Sequence, residues 1–252
     1  MKDNKNIYLS VVIPAYNEQE RIADSLYTVK NYLQEQDYNS EIIVVDDGSG
    51  DYTTEVVKTI NIVGQEMREQ RTSSILENVK NVGKGFSVAR GMLKAKGKYI
   101  LFSDADLSTP IEELEKFLPH LEKGCEMVIG SRRMKESEVE KKPFYRDLMS
   151  IFFNSVVKLL TIKGIQDTQC GFKAFQNEAG HQIAQLQKLY GFSFDVEQLF
   201  IAFKLGFEIK EVPVKWHHVD GSKVDAIKDS INMFMDILKI RFIHRHLKSR
   251  TN

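Results

Sequence analysis

Asp104 and Asp106 close the apolar run Tyr99-Ile100-Leu101-Phe102-Ser103 and stand two residues apart at its carboxyl end. Residues i and i+2 of an extended chain share a face, so one ligand can meet both carboxylates. Hard cations such as Mg²⁺ or Mn²⁺ take carboxylate oxygens and keep other positions for water and phosphate. The pair is therefore a candidate metal site, although the default reading of an isolated Asp-x-Asp is a polar strand end with Asp106 capping the next helix. A second acidic end argues against the plainer reading: Glu41-Ile42-Ile43-Val44-Val45 runs into Asp46-Asp47-Gly48-Ser49. By spacing alone, Asp46 and Asp47 are turn formers ahead of Gly48.

Elements spread along the chain must bring these groups together. Strands are expected at Tyr8 to Ile13, Glu41 to Val45, Ser74 to Asn78, Tyr99 to Ser103, Glu126 to Gly130 and Phe207 to Val212. The first is expected to break at Pro14 and pass through Tyr16-Asn17-Glu18 into a helix over Glu18 to Gln36. There Ile22, Leu26, Val29 and Leu33 recur at three- and four-residue spacing, a core-facing stripe. Further helices are expected from Thr53 and near Phe86. Before the latter, Lys80-Asn81-Val82-Gly83-Lys84-Gly85 lacks the Walker pattern, but its glycines allow a backbone to approach a ligand. Short strands alternating with helices imply right-handed crossovers and a mainly parallel sheet, whose ligands bind outside the carboxyl strand ends. Loops carrying Asp46, Asp47, Asp104 and Asp106 can then line one cleft in a single α/β domain.

Composition narrows the class. The 252 residues include 35 Lys plus Arg and 35 Asp plus Glu, so there is no net basic field of the kind nucleic-acid binding uses. Cys125 and Cys170 are far apart and form neither a zinc motif nor a disulfide framework, which suits a reducing compartment. No run approaches the roughly 20 apolar residues of a bilayer span, and Met1 to Asn6 is polar rather than a signal peptide. The expectation is a cytoplasmic protein that is soluble or peripheral at a membrane face. Two segments bear on that contact. Leu148 to Leu160 is apolar on more than one stripe, and the helix expected over Val224 to His246 becomes basic from Lys239 onward. Both patterns fit core burial or helix-dipole compensation as well as an interfacial position.

Pro14-Ala15-Tyr16-Asn17-Glu18, Val45-Asp46-Asp47-Gly48-Ser49 and Asp104-Ala105-Asp106, in this order, resemble the nucleotide-sugar half of family 2 glycosyltransferases of the GT-A fold. Asp167-Thr168-Gln169-Cys170-Gly171-Phe172-Lys173, Phe194-Asp195-Val196-Glu197, and Trp216 followed by Gly221-Ser222-Lys223 resemble the dolichyl-phosphate β-glucosyltransferases within them. The resemblance extends from about Ile7 to Arg245. It implies a Rossmann-like, mixed but mainly parallel sheet flanked by helices, with C-terminal amphipathic helices. A nucleotide-sugar half over about 7–130 would precede an acceptor half over about 131–252.

The implied activity is inverting, metal-dependent transfer of glucose from UDP-glucose to a dolichyl or undecaprenyl phosphate. Asp104 and Asp106 would hold Mg²⁺ or Mn²⁺ on the diphosphate. Pro14, Tyr16, Glu18, Asp46, Asp47, Lys84 and Ala105 would line the donor, with Asp47 accepting a hydrogen bond from the nucleobase. Arg132 and Lys223 would be supplementary cations, and Arg146, Ser150 and Gln169 would meet the acceptor. Asp195 would orient a sugar hydroxyl, or serve with Glu197 as candidate general base if the acceptor is a hydroxyl. In the mannosyltransferase relatives a glutamine follows Asp-x-Asp by two positions and helps bind metal; Ser108 stands there in this chain. His217 is expected to pack near the diphosphate rather than ligate, and Cys170 to be a packed residue. A homo-oligomer or a membrane-anchored partner is compatible with this arrangement. Competing readings are another hexose donor such as GDP-mannose, a polysaccharide hydroxyl acceptor, a nucleotidyltransferase, and a nucleotide-binding subunit without turnover.

Overall fold

The computed structural model describes residues 7–63, 71–140, 164–219, 235–236 and 238–247. Strands β1 (Leu9–Ala15), β2 (Ser40–Asp46), β3 (Arg71–Glu77) and β4 (Tyr99–Ser103) alternate with helices α1 (Ile22–Gln34), α2 (Thr53–Val63) and α3 (Lys84–Lys94). A 3₁₀ turn over Ile111–Lys116 and α4 (Leu118–Glu122) lead to β5 (Met127–Ser131) and the short β6 (Glu138–Val139). After these come β7 (Phe172–Gln176), α5 (Asn177–Leu186), α6 (Phe194–Leu205), β8 (Ile209–Pro213) and β9 (Lys215–Trp216). Residues 238–243 are helical; the expected helix over 148–160 and most of the one over 224–246 lie outside the described residues.

The seven-stranded sheet has the order β3-β2-β1-β4-β7-β5-β8. All neighbours are parallel except β7, which runs antiparallel between β4 and β5. This strand is absent from the expectation, because Phe172-Lys173-Ala174-Phe175-Gln176 is short and carries a lysine. Its register pairs Ser103 with Phe172 and Phe102 with Lys173. The motif residues just before β7 are thereby carried to the carboxyl end of β4. β6 and β9 form a separate two-stranded pair, Val139 opposite Trp216.

The expected break at Pro14 is displaced, since β1 continues through Ala15. Pairing of β1 with β4 stops at Val12, whereas pairing with β2 runs to Ala15. Proline therefore sits where one neighbour has already departed, a position where a missing N–H is tolerated. Helix α1 begins at Ile22 rather than Glu18, after a turn in which the Glu18 carbonyl accepts from Arg21 and Ile22 N–H.

Both faces of the sheet are buried, as a parallel sheet flanked by helices requires. Leu9, Val11 and Ile13 pack on one side with Ile22, Leu26, Val29 and Leu33 of α1. Val12 points to the other side, toward Val88 and Met92 of α3 and Phe194 and Leu199 of α6. Period-two alternation and a 3.6-residue stripe thus interlock, leaving the carboxyl strand ends free for loops.

Candidate active site

β4 carries Asp104 and Asp106 to the carboxyl edge of the sheet, where the segment before β7 and the first turns of α3 and α6 come close to them. The backbone N–H of Asp104 donates to the Gly171 carbonyl at 3.1 Å, and Asp106 Oδ1 accepts from Ser108 N–H at 2.9 Å. Lys84, in the first turn of α3, brings Nζ to 2.6 Å from Asp104 Oδ1. The two groups form a close ion pair at an oxygen shielded from solvent. Burial pushes the Asp104 carboxyl up, and the Asp106 and Asp195 charges outweigh with it the downward pull of Lys84. Burial pulls Lys84 down in turn, but Asp104, Asp195 and Asp106 more than offset it, and the ammonium ends raised.

Among the described residues Asp104, Asp106 and Asp195 outnumber Lys84 and Lys173 here, and the donor set is hard oxygen. Asp104 and Asp106 therefore fit a divalent ion of the Mg²⁺ or Mn²⁺ type. Among the described residues no group of three or more His, Cys, Asp or Glu side chains could hold a metal. A metal here would take its remaining ligands from phosphate oxygens and water, the usual Mg²⁺ arrangement.

Gly171 is part of this geometry. A Cβ added there would lie 2.0 Å from Asp104 Oδ2 and 2.4 Å from its Cγ. Gly171→Ala is expected to push the carboxylate aside and lower turnover by about 10- to 100-fold, the scale seen when groups that orient a metal ligand are disturbed. Because the clash is with a side chain at a site mouth, the thermal midpoint should stay within a few degrees. Steady-state rates beside a melting curve check both.

Asp195, in the first turn of α6, forms an ion pair with Lys173 of β7. Lys173 stands inside a distinctive motif, yet the string assigns it no role; the signal is its complete burial, which only the fold reveals. Glu197, two residues beyond Asp195, is not available as a base. Its carboxylate is buried and accepts from Lys188 and Leu189 N–H, with His244 Nε2 at 2.6 Å. His244, expected in a basic helix end, is instead enclosed.

Arg132 is no solvated loop charge. Its Nε and Nη2 donate to Asp167 at 2.6 and 2.9 Å, and its guanidinium lies 5.9 Å from the Trp216 ring centre. Burial would raise Asp167, but Arg132 and the backbone N–H of Gln169 hold it well below the usual carboxylate range. The Arg132 charge is thus largely balanced within the protein. Gln169 is half-buried beside this pair, its N–H donating to Asp167 Oδ1. Burial pushes the Cys170 thiol up to about 11, consistent with a packed residue rather than a nucleophile. His217 donates its N–H to the Ser108 carbonyl and sets Nδ1 2.9 Å from Glu140. It lies beside the loop that comes after Asp106.

The donor-side residues gather at the ends of β1 and β2. Pro14 and Ala15 are buried, Tyr16 is exposed, and Glu18 pairs with Arg21 while its N–H donates to Thr53 Oγ1. Asp46 accepts from Gly48 N–H, Ser49 N–H and Ser49 Oγ, so its side chain builds the turn. Asp47 reaches across to Val82 N–H, Gly83 N–H and Asn78 Nδ2 at 3.1, 2.8 and 2.7 Å. It holds the Lys80–Gly85 loop against the end of β2. Gly83, at φ 119°, has no room for a side chain: a Cβ would lie 2.3 Å from the Tyr190 carbonyl oxygen. Ala105 is buried, its carbonyl accepting from Ser25. Arg146, Ser150 and Lys223 lie outside the described residues.

Residues 10–183 match Glycosyl transferase family 2. The chain belongs to that family. It is 40% identical over 250 residues to dolichyl-phosphate beta-glucosyltransferase of Dictyostelium discoideum, covering 94% of this chain and 75% of the relative. The Saccharomyces cerevisiae protein of that name is 37% identical, covering 96% and 77%. Among solved structures, Mycobacterium tuberculosis glucosyl-3-phosphoglycerate synthase with Mn²⁺, UDP and glucosyl-3-phosphoglycerate has a TM-score of 0.69 at 18% identity, covering 93% and 80%. A Pyrobaculum calidifontis mannosyltransferase with GDP-Man and Mn²⁺ reaches 0.57 at 17%, covering 96% and 71%. These two likenesses concern the fold, which is GT-A. This family 2 chain is accordingly a glycosyltransferase, as the sequence motifs implied.

Proposed function

We propose that this glycosyltransferase moves glucose from UDP-glucose to a polyprenyl phosphate, dolichyl or undecaprenyl, with inversion at the anomeric carbon. The observation that carries the chemistry is the convergence of Asp104, Asp106, Lys84 and the Lys173–Asp195 pair at the carboxyl end of β4. The choice of sugar and lipid rests on relatives named dolichyl-phosphate beta-glucosyltransferase that match nearly the whole chain.

Glycosyl transfer leaves a nucleoside diphosphate whose charge grows as the bond to C1 breaks. A divalent ion on Asp104 and Asp106 would neutralise that charge without proton transfer. Lys84 places a fixed cation at the same edge, where preorganised charge acts most strongly. Arg132, tied to Asp167, shapes the wall beside Trp216 in this reading and leaves Lys84 as the nearer cation. A phosphate acceptor has a second pKa of about 6 and arrives with a nucleophilic oxyanion. Asp195 is then needed to orient a hydroxyl, not to remove a proton.

The lipid acceptor calls for contact with a membrane. Among the described residues no helix is long and apolar enough to cross one. Leu238 and Phe242 are exposed on the C-terminal helix, with Lys239, Arg241 and Arg245 among them. Exposed apolar side chains interleaved with cations suit the interface of an anionic bilayer. In the proposed reading these side chains meet the cytoplasmic face of the membrane.

The deciding experiment supplies purified protein with Mg²⁺ or Mn²⁺, labelled UDP- and GDP-sugars and short polyprenyl phosphates, and reads label extractable into lipid. UDP-glucose is expected to label the lipid and to bind more tightly than GDP-mannose in calorimetric titration with metal present. Tighter productive binding of GDP-mannose would move the protein to a mannosyl branch.

A further inference from the structure

Lys173 is completely buried in the interior of the sheet, on the antiparallel strand between β4 and β5. Its ammonium lies 5.9 Å from the ring centres of both Phe102 and Phe194, which wall it in. Among the described residues its ion partner is Asp195, whose side chain is 10% exposed and whose charge is felt at Lys84, Asp104 and Arg132. Taking an ammonium out of water is expensive, and a buried ion pair often stabilises a fold no better than apolar residues of similar volume. A buried lysine aimed at a carboxylate on the rim of a site thus calls for another reason than stability.

We propose that Lys173 is a positioning residue: its buried ammonium fixes Asp195 Oδ1 and thereby turns the second carboxylate oxygen toward the substrate. The inference rests on the proposed role of Asp195 in orienting a substrate hydroxyl. Three features make the clamp directional. The register of β7 sets Lys173 opposite Phe102, one residue from the end of β4. The first turn of α6 sets Asp195 above it, with Phe194 closing the side. Gly171, two residues before Lys173, abuts Asp104. One short strand therefore positions both the candidate metal carboxylate and the candidate orienting carboxylate.

The test is a double-mutant cycle of Lys173→Met, Asp195→Asn and the two combined, with Lys173→Arg as the conservative variant. It is run with whichever donor and acceptor the wild-type enzyme turns over in a panel of nucleotide sugars and polyprenyl phosphates. Misplacing a group by about 1 Å typically costs on the order of 10²-fold in rate. Each single variant is therefore expected to lose about 10- to 100-fold in kcat with a smaller change in KM. The double variant should be no worse than the poorer single, because residues that act as a unit are not additive. Lys173→Arg should recover part of the loss, and melting curves should show all variants folded. Wild-type kcat in Lys173→Met, or losses that multiply in the double variant, would overturn the proposal. So would a fall in melting temperature that accounts for all the lost activity. If the panel shows another donor or acceptor, the assigned substrates fail while the cycle still decides the role of Lys173.

Discussion

Asp106→Ala is expected to abolish measurable transfer, with at least about a hundredfold loss in kcat, while leaving the fold intact. That is the scale of removing one preorganised charge-stabilising group. Asp106 is half-buried in the loop after β4, where Oδ1 accepts from Ser108 N–H, and it belongs to neither apolar cluster. Asp104→Ala should behave alike in rate, but it also frees Lys84 from its close carboxylate. Chelator-treated wild type should be equally inactive and should recover on adding Mn²⁺ or Mg²⁺, whereas Asp106→Ala should not. Calorimetric titration with Mn²⁺ and UDP supplies a readout independent of turnover: both variants should lose metal-dependent UDP binding. Full activity after chelation, or wild-type turnover by Asp106→Ala, would eliminate metal assistance.

Transfer is expected to require the phosphate of the lipid. A free polyprenol presents a hydroxyl that must lose its proton, and general-base assistance is worth about 10²- to 10⁴-fold. Glu197 is enclosed by backbone N–H groups and His244, and in the proposed reading Asp195, paired with Lys173, orients a hydroxyl rather than serving as that base. Polyprenol should therefore react at least about 10²-fold more slowly than polyprenyl phosphate. Asp195→Asn should lower the rate through lost orientation, and small amines or carboxylates added to the assay should not restore it. Efficient transfer to polyprenol or to a sugar hydroxyl, abolished in Asp195→Asn and restored by added bases, would favour a polysaccharide acceptor.

Much of the donor half was legible because its signals are local. β-branched runs ending in Asp46-Asp47 and Asp104-x-Asp106 mark strand ends, and the Ile22, Leu26, Val29, Leu33 stripe marks the helix between them. Parallel strands with helical crossovers leave one edge for ligands, so the pattern alone places these carboxylates at the carboxyl edge where the fold has them. The motifs of the second half marked the family for a different reason: they are distinctive as strings, although their geometry was not readable.

Tertiary structure decided what those strings do. β7 inserts antiparallel between β4 and β5, and only its register sets Gly171 against Asp104 and Lys173 beside Phe102. Lys173 and Asp195 are 22 residues apart, Arg132 and Asp167 35, and Glu197 and His244 47. Side-chain spacing along a strand or helix reports which residues share a face over a few positions. It carries nothing about which distant face arrives opposite. Such arrivals give two of the named residues partners that spacing could not show: Glu197 anchors the Lys188–Leu189 backbone, and Arg132 pairs with Asp167. Local pattern was enough for the β-branched runs, the carboxylates that follow them and the family. Strand pairing and burial depend on contacts between remote segments, and they set which of those charges are held by partners within the protein.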